Sequence, residues 1–142
     1  MSEEFQIEDI ERQLNFIFSG KAIFTISSNK SGKRFTYKII ANAKDENKFF
    51  VYLLTGSNNL SDYSYLGMIN RGLLNVYPTN ASRISTNSPS FKAVDWMFKS
   101  FKENKNSSFK VFHMGKCGKC SRPLTDPESI KRGLGPVCHG FS

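Results

Sequence analysis

Histidine occurs twice in this 142-residue chain, tryptophan once and cysteine three times, and each scarcity closes off some chemistry. No Ser/His/Asp set can be assembled, and no glycine-rich loop is shaped to cradle a phosphate, so the reading is a binding protein and not an enzyme. Three cysteines, all within the last 26 residues, do not make a disulfide framework. Apolar runs of the roughly 18–20 residues that a membrane span needs are missing. The first residues, with Glu3, Glu4, Glu8, Asp9 and Glu11, are acidic where a secretory or transit peptide would be basic. The expectation is a cytoplasmic protein with no membrane partner. Internal repeats and long low-complexity tracts are also absent.

Bulky core material is plentiful, with 13 Phe and 5 Tyr, and a chain of this length buries enough surface for a real core. Charge is plentiful too, and uneven. The formal net charge is +8; residues 1–20 carry five acids against Arg12, a net of −4, so the remaining 122 residues carry +12. Such a surplus favours polyanionic partners, nucleic acid or nucleotide first among them.

Periodicity sets out an α+β chain. Ile7, Ile10, Leu14 and Ile17 recur at helical spacing, which predicts an N-terminal helix over about 6–18, stopped near Gly20. Segments 22–26, 35–40 and 49–54 are rich in β-formers and separated by turn-forming residues, a three-stranded antiparallel meander. Segments 63–69 and 73–77 look like two more short strands. Ser88-Pro89 is an N-cap followed by an N1 proline, and Phe91, Val94, Met97, Phe98 and Phe101 form the stripe of a central helix over 89–103. The expected architecture is an antiparallel sheet of about five strands packed with these two helices in residues 1–108. A small zinc-knuckle module over 109–142 follows, entered by a strand at 109–113.

That last segment reads His113-x3-Cys117-x2-Cys120-x17-Cys138-His139. Two cysteines two residues apart let both sulfurs reach one ion, with Gly118 permitting the turn, and the distance to Cys138 falls in the range of zinc ribbons. The candidate metal ligands are His113, Cys117, Cys120 and Cys138. His139 is the alternative fourth ligand, disfavoured because neighbouring residues ligate together only with an awkward backbone. A redox C-x-x-C would sit in a thioredoxin-like pattern that is not found here. Glu128 is the only glutamate of the module and falls in its expected helix, so the Zn2+ is read as structural. Thr125 or Asp126 as N-cap and Gly133 as C′ stop predict a short helix between the cysteines. Such a site contributes about 10–16 kcal/mol of apparent free energy, more than a core this small supplies.

Cys117-Gly118-Lys119-Cys120-Ser121-Arg122-Pro123-Leu124-Thr125-Asp126-Pro127-Glu128-Ser129-Ile130, with Gly133-Leu134-Gly135-Pro136-Val137-Cys138 after it, resembles a small zinc domain of unknown function that recurs in bacteriophage proteins. The pattern is approximately C-x-x-C-G-R-x-L-T-x-P-x-S-I, then G-x-G-P-x-C. Ser121 replaces a glycine of that pattern, and a histidine shortly before the first cysteine is common in it, which favours His113. The upstream stretches 32–37, 54–56 and 62–67 resemble the domain that often precedes the module. The resemblance implies a phage or prophage origin, hence a host-cell cytoplasm, and carries no established biochemistry.

Two functions are compatible with these residues. In the first, Phe35, Tyr37, Phe50, Tyr52, Tyr63 and Tyr65 supply an aromatic platform on one sheet face. Lys33, Arg34, Lys38 and Lys48 then contact phosphates, joined by Lys116, Lys119, Arg122, Lys131 and Arg132 of the module. In the second, the chain inhibits a host defence system by binding a defence protein or sequestering a nucleotide signal, with loop 56–65 and Asp62 as a ligand pocket.

Overall fold

The computed structural model describes residues 5–58 and 61–135. Within them lie seven strands and three helices: β1 (Gln6–Ile7), α1 (Ile10–Ile17), β2 (Lys21–Ser28), β3 (Arg34–Asn42), β4 (Asp45–Leu54), β5 (Tyr63–Asn70), β6 (Asn75–Tyr77), α2 (Pro89–Lys102), β7 (Phe109–His113) and α3 (Pro127–Arg132). All strands join one sheet in the order β1-β7-β2-β3-β4-β5-β6, and every pairing is antiparallel. The fold is α+β.

The meander from β2 to β6 follows the sequence pattern closely. Five strands become seven because β7, read as the entry to a separate module, inserts between β1 and β2. Phe24 pairs with His113 and Ile26 with Val111. The helix expected over 6–18 is shorter for a local reason. Asp9 takes the N-cap position, its carboxylate accepting from Arg12 N–H at 3.3 Å, so the chain before it is free to extend as β1. Ile7 is fully buried as a strand residue instead of forming the first step of a helical stripe. On α1 the buried positions are Gln13, Phe16 and Ile17. Gln13 tolerates burial because its amide donates to Ile7 O at 2.7 Å and its carbonyl accepts from Asn106 at 3.2 Å.

On α2, Ser88 caps the Phe91 N–H at 3.3 Å with Pro89 at the first turn. Phe91, Val94, Met97, Phe98 and Phe101 are buried, the stripe the spacing predicts. The core they enter is largely aromatic. Phe16 meets Phe24 edge-on, Phe18 meets Phe49 and Phe98, and Phe101 meets Phe109. These contacts place α1 and α2 on one face of the sheet, the face carrying Phe24, Tyr37, Val51 and Val111. No described helix is long and apolar enough to cross a membrane.

Candidate functional site

Residues 116–123 make a tight hairpin. Lys116 bridges Pro123, Cys117 N–H donates to Arg122 O at 2.8 Å and Ser121 N–H to Cys117 O at 2.9 Å. Ser121 takes a left-handed backbone (φ 65°) to close it, at the position where the resembling pattern carries glycine. The turn aims backbone donors at one sulfur. Lys119 N–H and Gly135 N–H each lie 3.4 Å from Cys117 Sγ. Burial alone pushes the Cys117 thiol up, but N–H donors from Gly135, Cys120 and Lys119 and a hydrogen bond from the Cys120 side chain outweigh it. Together they bring the thiol down to about 7. A sulfur held this way favours the thiolate form.

The hairpin is docked, not pendant. Gly118 O accepts from Lys21 N–H at 2.7 Å, and Gly118 N–H donates to Gly133 O at 2.9 Å. Gly118 and Gly133 both lie so close to the Phe16 ring that a Cβ at either would collide with it. Asp126 caps α3 by accepting from Ser129 N–H at 3.0 Å, and Gly133 ends it with a left-handed turn (φ 73°).

His113 does something other than the spacing suggests. It is completely buried, its Nδ1 accepts from Gly115 N–H at 2.9 Å and its Nε2 donates to Ile130 O at 2.6 Å. Both ring nitrogens are thereby committed, and the ring packs against Phe5 and Phe16. Burial lowers its pKa, with the Ile130 carbonyl opposing, which leaves a neutral imidazole. In this arrangement His113 is a staple between β7 and α3 and offers no lone pair to a metal. Among the described residues no three His, Cys, Asp or Glu side chains gather around one point. Cys138 and His139 lie outside the described residues.

Residues 111–140 match a family of unknown function, DUF6011. The match begins inside β7 and runs across the cysteine segment, so the likeness to known proteins lies where the hairpin and α3 lie. No curated protein and no solved structure matches the chain.

The predicted aromatic surface divides between the two faces of the sheet. Tyr37 pairs with Leu53 and Phe24 on the helix side. It is completely buried and its hydroxyl donates to Ser90 O at 2.7 Å. Desolvation raises its pKa far above the usual tyrosine value. Tyr37 is a core residue and contacts no external partner. Phe35 is on the same side, half-buried at the edge of α2.

The opposite face carries no helix among the described residues. On it the cross-strand partners Lys38, Tyr52 and Tyr65 form one row, and Ile40, Phe50, Met68 and Tyr77 the next. The Lys38 ammonium lies 4.4 Å from the Tyr63 ring centroid and 5.2 Å from that of Tyr52. Tyr65 packs on Tyr52 and Phe50. All five aromatic rings are half-buried. Arg34, opposite Ser27, and Lys48, opposite Asn70, continue the basic lining of this face.

The module's cations are also sorted. Lys116, Lys119 and Arg122 are exposed on the hairpin. Lys131 pairs with Glu128 at 4.0 Å, and Arg132 shares a polar cleft with Asp9, Glu11 and Glu128. Asp9 and Glu11 thus stand beside one cation of the basic patch read from the sequence. Asp62 accepts from Asn58 N–H at 2.9 Å; residues 59 and 60 of the expected 56–65 ligand loop lie outside the described residues.

Proposed function

We propose that this chain is a small basic protein that binds single-stranded nucleic acid on the helix-free face of its sheet, with a structural Zn2+ closing its C-terminal segment. The observation that carries the reading is the Lys38 ammonium held over Tyr52 and Tyr63, next to Tyr65 and Phe50, on a face no described helix covers. Bases stack on such rings whatever their identity, and a cation between rings neutralises the phosphate that arrives with each base. Successive rows along the strands are about 6.6 Å apart, two residues of rise, which lets adjacent splayed bases use adjacent rows. Lys38, Arg34 and Lys48 are the phosphate contacts on this face; Tyr37, buried on the other face, is not one of its rings.

For the metal, Cys117 and Cys120 are the supported pair and Cys138 the third ligand. The commitment of both His113 nitrogens shifts the fourth place to His139. Zinc there would hold the hairpin and the returning chain together. The phage setting rests on the resemblance of the same cysteine segment.

Anisotropy titration of labelled single-stranded oligonucleotides across a salt series tests the binding reading. Tyr52→Ala weakens affinity roughly 5- to 100-fold, the range for loss of one stacked base. Lys38→Gln reduces the slope of log K against log salt by about 0.7. Absence of binding to single-stranded DNA and RNA at low salt overturns the proposal.

A further inference from the structure

A second concave surface lies on the helix side of the sheet, away from Tyr52 and Tyr65. It is a cleft of about 780 Å³ between the β2–β3 turn and α2, within the size range of small-molecule sites. Its apolar floor is Ile26, Phe35 and Trp96, and Lys30, Lys33 and Lys92 stand around it. No carboxylate lines it, and none of these lysines is ion-paired among the described residues.

Trp96 makes the cleft unusual. With Leu73, it is one of two large apolar side chains left exposed among the described residues, at 38%. Its ring is held edge-on against Phe109 at 5.3 Å. The opposite wall is equally fixed. The Asn29 side chain donates to Ser107 O at 2.7 Å, Asn29 N–H donates to Ser108 O at 3.0 Å, and Ser28 Oγ accepts from the N–H groups of Lys30 and Ser31. The β2–β3 turn is thus tied across the mouth to the segment leading into β7, and the walls need little ordering when a ligand enters.

We propose that this cleft binds a nucleotide, its base against Phe35 and Trp96 and its phosphate at Lys30, Lys33 and Lys92. The complementarity decides the ligand class. An inorganic anion would leave the aromatic floor unused, and an acyl chain would leave three unpaired lysines unused. A flat ring joined to a phosphate satisfies both halves. The nucleotide is either free or the 5′ end of a strand, since both present the same chemistry. The inference does not depend on the open-face reading, because the two sites lie on opposite faces.

Trp96 is the single tryptophan of the chain, so its fluorescence reports this cleft and nothing else. The full chain is titrated with adenosine monophosphate, adenosine, inorganic phosphate, and a trinucleotide with and without a 5′-phosphate. Adenosine monophosphate should give a saturable change, with adenosine and phosphate each at least about 10-fold weaker. The double variant Lys33→Gln/Lys92→Gln, at two exposed positions, weakens the nucleotide at least about 10-fold, and Tyr52→Ala leaves it unchanged. Saturation by the 5′-phosphorylated trinucleotide as tightly as by the mononucleotide assigns strand ends; a mononucleotide preference assigns free nucleotides; either supports the site. The proposal is overturned by no saturable change up to millimolar nucleotide, by adenosine binding as tightly as its monophosphate, or by sensitivity to Tyr52→Ala without sensitivity to the lysine pair.

Discussion

His113 illustrates how one residue can hold two elements. Its imidazole joins the end of β7 to the Ile130 carbonyl in α3 while filling a gap between Phe5 and Phe16. His113→Ala orphans the Ile130 carbonyl and opens a cavity, a cost on the order of 2–4 kcal/mol readable by denaturant titration. His113→Gln, closer in size and still a donor, should retain one zinc per chain by metal analysis; loss of zinc with the fold intact would return His113 to the ligand set. Acid provides a second check. The folded chain keeps His113 neutral with its pKa below the ordinary 6.5, so the unfolded chain takes up the proton first. The contribution of this residue is complete above about 6.5 and is lost as pH falls below it, a component of the stability profile missing from His113→Gln. Tyr37→Phe leaves the Ser90 carbonyl without its partner, costing about 1–3 kcal/mol, and should not change oligonucleotide affinity. Tyr37 and Lys38 show what alternation conveys. Neighbours in a strand face opposite ways, so one of the two had to be inside, but only the pairing of Lys38 with Tyr52 and Tyr37 with Leu53 decides which aromatic residues share the open face.

Among the elements, α2 was fully legible because everything specifying it is local: a serine cap, a proline at the first turn and apolar residues at helical spacing. The hairpins of the meander were legible for the same reason. β1 was not, since two residues carry no periodicity and their strand character comes from pairing with β7. The cysteine hairpin lies between these cases. Its turn follows from C-x-x-C, but its docking on Phe16 depends on α1, distant in sequence. Cys120→Ser removes one proposed ligand, so zinc binding falls and hydrogen-exchange protection disappears first in residues 114–135. The hairpin's release exposes Phe16, so α1 loosens next, while β3, β4 and β5 keep their protection. A variant that keeps both its zinc and full protection would contradict the metal assignment.

At the scale of the whole molecule, the division of the chain at residue 108 looks different once β7 is in the sheet. A fragment 1–108 retains the meander and α2 but loses the strand between β1 and β2, together with the buried Phe109, Val111, Phe112 and His113. Such a fragment should lack a cooperative thermal transition and associate at micromolar concentration, whereas the full chain melts as one unit; circular dichroism and light scattering distinguish the two. The charge asymmetry also has a spatial meaning. The acids of α1 face Arg132 and α3, while the helix-free face keeps its own lysine and arginine.

The insertion of β7 has a consequence in time as well as in space. A ribosome delivers β2, β3 and β4 early, yet the neighbour that completes β2 arrives only with residues 109–113. Elongation at roughly 5–20 residues per second leaves that edge bare for several seconds. During this interval the β2 backbone from Phe24 to Ser28 is a ready template for pairing with another nascent chain. The yield of native protein should therefore depend on translation speed through the stretch between β2 and β7.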